Sequence, residues 1–353
     1  MSTSELPVRH PPAHDVQPDD ASGYGWLVRV WVLVVMFALV AMARSSHVGI
    51  PFRDVHGEIF RSRIAVSLGL FAVLAVIDAS LRVGRRRWTV SRTVTALRER
   101  WTRRRLVSAM GGLLAYHLVY FCYHNLKSWD AFNQVRDTML LRWDHWLFFG
   151  HDPAVLLHQL LGQHVAAYVL MVVYESFSSI ITVSFVASMV FPRRIRDGYV
   201  FIASAMWVWI LGLGSYYLIP SLGSFHAAPQ NFAGLPHTMI QDTQAQYMAE
   251  RAHLLAHPHA TDSFQQVSAF ASLHIGVTTV VLLMAAYYRL RRLTIAMVVF
   301  LFGTILATVY LGWHFAVDDV AGLAIGWLAV FLGRRMIYPR GRPSPPSGEP
   351  GRS

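Results

Sequence analysis

The chain has 353 residues, 54% of them apolar and only 14% charged, with a net charge of +11. A soluble domain carries about a quarter charged residues. This composition therefore excludes an ordinary soluble enzyme and indicates an integral membrane protein. The basic excess does not require nucleic acid as a partner, because almost all of it is arginine placed between apolar runs. Cys122 is the single cysteine, so no intrachain disulfide can form.

Residues 1–23 are polar and poor in basic residues, without the basic start and small-residue cleavage site of a signal peptide. They read as a disordered cytoplasmic tail. Apolar segments long enough to cross ~30 Å of hydrocarbon follow at about 24–43, 64–81, 106–124, 165–191, 199–219, 269–288, 293–311 and 315–337. The expected fold class is all-α, a polytopic membrane bundle of about eight helices.

Arginine sets the orientation. Ten arginines from Arg82 to Arg105 separate the second and third spans, opposed by Glu99 alone. Arg193, Arg194 and Arg196, then Arg289, Arg291 and Arg292, occupy the later loops of the same side. The tail 338–353, read as disordered, is basic as well. By the positive-inside rule these segments and both termini face the cytoplasm, which places the protein in the plasma membrane. The stretch from Arg82 to Arg105 reads as a juxtamembrane segment drawn to anionic headgroups.

Two of the loops on the opposite side are informative. In 125–164, Trp143, Trp146, Phe148 and Phe149 beside Arg142 and Asp144 suit helices lying in the headgroup layer. In 220–267, Pro220, Gly223, Pro229, Gly234 and Pro236 predict an irregular, tightly folded lid rather than a helix. That lid also carries His253, His257 and His259, but no cysteine or well-placed carboxylate, so no metal is expected there.

The chemistry concentrates at two span mouths. His314 and Asp318 stand four residues apart at the start of the last span, on one face of a helix. His274 stands near the start of the sixth span, which enters from the same side. Ionisable residues at such depth usually face a bundle interior or wet cavity. A carboxylate on one imidazole nitrogen fixes the tautomer and leaves the other as nucleophile or base. Gly322 and Gly326 continue the Asp318 face in steps of four and would admit a close neighbour, the sixth or seventh span. Asp319, about 100° around the helix, is expected to face another loop or headgroup water. Glu175, deep in the fourth span beside Tyr174, is expected to find a partner across the bundle.

Ser272-Leu273-His274, followed by Tyr310-Leu311-Gly312-Trp313-His314 with Asp318 and Gly322, resembles the type-2 phosphatidic acid phosphatase (lipid phosphate phosphatase) superfamily. Within it, the chain is most similar to the branch of inositol phosphorylceramide and sphingomyelin synthases. The Pro220–Gly223 loop and the segment from Trp143 to Gly150 also resemble that branch. The resemblance implies a six-helix catalytic core, 106–337, with 24–105 supplying two additional transmembrane helices and the arginine-rich loop. It implies a metal-independent enzyme without cofactor. Its His-His-Asp triad would move a phosphoryl group or phospho-headgroup, phosphoinositol among them, from a phospholipid or polyprenyl phosphate to an alcohol or water. His314 would attack phosphorus, Asp318 would orient it, and His274 would act as acid and then base. Ser272 would help hold phosphate oxygens.

The chain departs from the phosphatase pattern at Thr308, where those enzymes carry arginine, at Ala271 in place of proline, and at Gln134 in place of the arginine that follows their lysine. The phosphate clamp is thus open among Lys127, Arg136, Arg142 and Arg251. Two other readings stay open beside this one: a polytopic glycosyltransferase using Asp54 or Glu58 on a lipid-phosphate sugar, and a non-enzymatic transporter. Nothing in the sequence bears on oligomeric state.

Overall fold

A computed structural model describes residues 24–54, 56–260 and 264–341. Both expected terminal tails fall largely outside these residues: all of 1–23 and, at the other end, 342–353. The described residues form α-helices joined by short turns, with no strand among them. In order they are α1 (Gly25–Val48), α2 (Glu58–Val83), α3 (Val90–Arg100), α4 (Arg103–Asp130), α5 (Asp137–Leu147), α6 (Pro153–Leu161) and α7 (Val165–Val190). There follow α8 (Ile195–Leu218), α9 (Ser224–Ala227), α10 (Met239–Ala256), α11 (Leu273–Tyr287), α12 (Arg291–Tyr310) and α13 (Ala316–Ile337).

Among the described residues, seven helices are long and apolar enough to cross a membrane: α1, α2, α4, α7, α8, α12 and α13. The bundle is built around α8, which packs against α4 and α13, while α11 lies against α13 and α12. Val32, Met36, Val66, Val299 and Phe302 stay exposed on the outer helices. Water would penalise such a surface and hydrocarbon does not.

The expected sixth span is shorter than its sequence predicts. α11 has 15 residues, about 22 Å at 1.5 Å per residue, and it begins at Leu273 rather than at 269. Backbone partners explain the late start. The N–H groups of Ala269 and Phe270 go to the Ser221 carbonyl and hydroxyl, and that of Ala271 goes to the Ser215 hydroxyl. Ser272 donates its N–H to the Asp318 carbonyl at 3.0 Å and caps α11 by accepting from Ile275 N–H. Non-helical chain is tolerated inside a membrane protein only where such partners replace water.

The lid corrects a second expectation. It contains α10, an 18-residue helix, beside the irregular segment foreseen. The turn residues all precede Thr238, and there Thr238 and Gln241 form a reciprocal capping box that launches the helix. Gln244 and Arg251 then tie α10 to the carbonyls of Leu311 and Ala131. At the other end of the bundle, Arg100 and Arg105 donate to carbonyls of Val190, Pro192 and Arg193. Part of the basic run therefore caps the C-terminus of α7.

Candidate active site

α12 ends at Tyr310, and the next residues turn sharply through Gly312, whose φ of 81° suits glycine. The turn swings His314 into the bundle just before α13. Its N–H is held by the Thr308 carbonyl at 3.2 Å, and its carbonyl accepts from the Ser224 hydroxyl at 3.2 Å. α11 delivers His274 from its second residue. The two imidazoles meet edge to face, with centroids 5.7 Å apart. The approach depends on α13 lying close to α11: a Cβ on Gly322 would strike the Ser272 carbonyl, and one on Gly326 the Gly276 carbonyl. The neighbour foreseen for the glycine face is therefore the sixth apolar segment.

Nδ1 of His314 lies 3.4 Å from Oδ2 of Asp318, and both side chains are buried. The same Oδ2 accepts the Phe315 N–H at 2.9 Å, so Asp318 also caps its own helix. Burial pushes the His314 imidazole down to about 4, against the opposing pull of the Asp319 carboxylate. Burial thus favours the neutral ring, with a hydrogen bond to the Ala269 backbone also opposing the shift. His274 is sandwiched against Tyr174 and Phe177 of α7, with centroids at 4.5 and 4.3 Å. Tyr174 in turn stacks on Trp313.

Two placements differ from expectation. Asp319 does not face a loop or headgroup water; it is 3% exposed and accepts the Thr308 hydroxyl at 2.9 Å. The reason is the neighbouring helix: 100° around α13 still points into protein here, because α12 and α11 close both flanks. Thr308, standing where an arginine was expected, thus has a partner of its own. Glu175 is exposed on α7 rather than paired across the bundle, and it contributes to the electrostatics of Tyr174 and of Tyr247 on α10.

The cations separate. Lys127, in the last turn of α4, is buried, donates to the Gln266 carbonyl at 2.7 Å and lies over the Tyr216 ring. Its ammonium acts electrostatically on both His274 and His314. Arg136 instead lines a separate cavity with Arg44. Arg142 is exposed on α5 and bonds within its own helix to the Thr138 carbonyl. Arg251 holds the Ala131 carbonyl from α10. Asp54, weighed as a glycosyltransferase acid, accepts the Ile59 and Phe60 N–H groups and so starts α2.

The sequence reading passed over two residues that build the site from below. Asp137 and Asp144 stand seven residues apart on α5, both buried, hence on one helical face. Asp137 accepts the Leu222 N–H at 2.8 Å and pairs with His226 at 2.9 Å. Asp144 accepts the N–H groups of Ala316 and Val317 at 2.8 and 2.9 Å. Those are the first two residues of α13, directly after the His314 turn. The opposite face of α5 is aromatic and open, with Trp146 82% and, just past the helix, Phe149 93% exposed. The i, i+7 spacing of two carboxylates between interfacial aromatics was the available signal. Burial pushes the Asp144 carboxyl up to about 7, opposed by the two N–H donors.

Residues 138–332 match the protein-family model described as the PAP2 superfamily. No curated protein and no solved structure matches the chain.

Proposed function

The chain belongs to the PAP2 superfamily, a helical membrane family of phosphatases and phosphotransferases, and on that premise we propose that it is a lipid phosphotransferase or phosphatase working through His314, His274 and Asp318. The observation that carries the reading is the meeting of two imidazoles from different helices at 5.7 Å, one of them 3.4 Å from a buried carboxylate.

The reaction has two halves. The Nε2 lone pair of His314 attacks phosphorus, and the bond from phosphorus to the leaving oxygen breaks. His274 gives its proton to that oxygen. Asp318 faces Nδ1 and stabilises the positive charge that the phosphorylated ring acquires. His274 then takes a proton from water or an alcohol as its oxygen attacks phosphorus, and the N–P bond returns its pair to His314. Lys127, the cation electrostatically coupled to both rings, offsets charge on the phosphoryl oxygens. Ser272 holds the frame: its hydroxyl caps α11 and its N–H serves the Asp318 carbonyl.

The substrate class is a phospholipid or polyprenyl phosphate, and the alternation of arginine-rich loops supports an extracytoplasmic position for the histidines. The likeness to the synthase branch and the presence of Thr308 favour an alcohol over water as acceptor. The test is to incubate purified protein with labelled phospholipids, with and without alcohol acceptors. His314→Ala and His274→Ala each abolish turnover on this reading, and EDTA leaves it unchanged. Turnover retained by folded His314→Ala would sink the mechanism.

A further inference from the structure

A second basic cavity lies at the same end of the bundle as the histidines but outside the triad. It has a volume of about 530 Å³ and is lined by Arg44, Asn133, Arg136, Tyr217 and Pro220, among others. Arg44 comes from the end of α1, Asn133 and Arg136 from the turn between α4 and α5, and Tyr217 from the end of α8. Neighbouring tyrosines divide this cavity from the site. The Tyr216 ring takes the Lys127 ammonium at 5.6 Å, and the Tyr217 ring takes the Arg44 guanidinium at 5.5 Å. The two cations thus meet successive tyrosines at one helix end, and only Arg44 lines the cavity.

The charge in the second chamber is only partly balanced. Asp130 is the nearest carboxylate that interacts with Arg44; it also takes the Asn133 amide at 2.7 Å and feels Lys127 and Arg251. Arg44 Nε is buried without a hydrogen-bond partner among the described residues, while the same guanidinium meets His47 Nδ1 at 3.3 Å through Nη1 and bonds the Tyr217 side chain. Arg136 is exposed, and its side chain enters no ion pair or hydrogen bond among them. Two guanidinium forks opening on one concave space match the geometry of phosphate, which accepts paired N–H donors. The volume falls in the range of small-ligand sites.

We propose that this cavity is a second anion site, which binds the phosphate of an anionic lipid headgroup or a free phosphate independently of the triad. Its position gives occupancy a consequence. Arg136 donates its backbone N–H to the Pro220 carbonyl at 2.7 Å, and the next residue, Asp137, grips Leu222 and Gly223. An anion on Arg136 therefore sits one residue from the carboxylate that holds the loop beside His314. The proposal does not depend on the chemistry assigned to the histidines.

Native mass spectrometry of the purified full chain, released from micelles containing phosphatidylglycerol or phosphatidylcholine, provides the test. Wild type should retain phosphatidylglycerol over phosphatidylcholine. Arg44→Gln with Arg136→Gln should weaken that retention about tenfold or more, while Arg292→Gln, at the opposite end of the bundle, should not. Should the double variant fail to fold, Arg136→Gln alone serves, because that side chain holds nothing in the structure. Displacement by inorganic phosphate assigns the site to a soluble anion, and its failure to displace assigns it to the lipid; both keep the site. Equal retention of the two lipids by wild type, with no binding of inorganic phosphate, overturns it. So does unaltered phosphatidylglycerol and phosphate binding by the folded variants.

Discussion

Replacing Asp144 by asparagine perturbs the turn that carries His314 without touching either histidine. The carboxylate accepts two consecutive N–H groups of α13, at 2.8 and 2.9 Å, from a position 2% exposed. A bond to a charged acceptor contributes about 1.5–3 kcal/mol, and the amide keeps one neutral bond of about 1 kcal/mol while turning an amino group on the other donor. Exchanging two such bonds for one neutral bond loses about 2–5 kcal/mol, which would lower turnover by about 30-fold to several thousand-fold if it falls on the His314 turn. Because Asp144 acts through that turn and not on substrate, kcat should fall with KM little changed. The pH profile separates positioning from a general loss of folding. With the carboxyl at about 7, a proton occupies one accepting oxygen below that pH, so wild-type kcat should drop with an inflection near 7 that Asp144→Asn lacks. Stability has the opposite sign. A carboxyl raised from 3.8 to about 7 on folding contributes stability that is full below 3.8 and lost as pH rises through 7. The melting temperature of wild type relative to the variant should therefore decline over that window. A variant that keeps wild-type kcat and the inflection near 7 would refute the role given to Asp144.

Other outcomes follow from the same geometry. Incubating wild type with a 32P-labelled donor should trap an acid-labile, base-stable phosphoprotein that His314→Ala lacks; a label that survives acid would point to another nucleophile. Lys127→Met should raise KM and lower kcat/KM about 100-fold or more, by the loss of a charge facing the phosphoryl group, and steady-state kinetics would show it. Gly322→Ala should separate α11 from α13 because its Cβ meets the Ser272 carbonyl; the expected readout is a lower melting temperature together with lost activity. Thr308→Val leaves Asp319 short of one donor and should cost about 1–3 kcal/mol, measured by thermal unfolding in detergent.

The helical spans and the meeting of the helices that carry His274 and His314 were legible in the sequence for definite reasons. Hydrocarbon demands long apolar runs, and ionisable residues are rare enough within them that His274, His314 and Asp318 stand out. The glycines at 322 and 326 announced a close helix on the Asp318 face, and α11 occupies it. The short helices α5 and α6 were also expected, in the loop 125–164. What sequence could not decide was where polar groups find partners across the fold. Asp319 points into protein because α11 and α12 flank α13, and no spacing along the chain encodes that. The shortened start of α11 depends on hydroxyls of Ser215 and Ser221, more than 45 residues away. Four cations looked alike until folding buried Lys127 against the Gln266 carbonyl and the Tyr216 ring and turned Arg136 into a different cavity. Asp144 read as one more interfacial charge, and only the docking of α5 onto the first turn of α13 made it part of the site. Periodicity and rarity act locally along the chain, whereas the partner of a buried polar group is set by whichever distant backbone must be satisfied there.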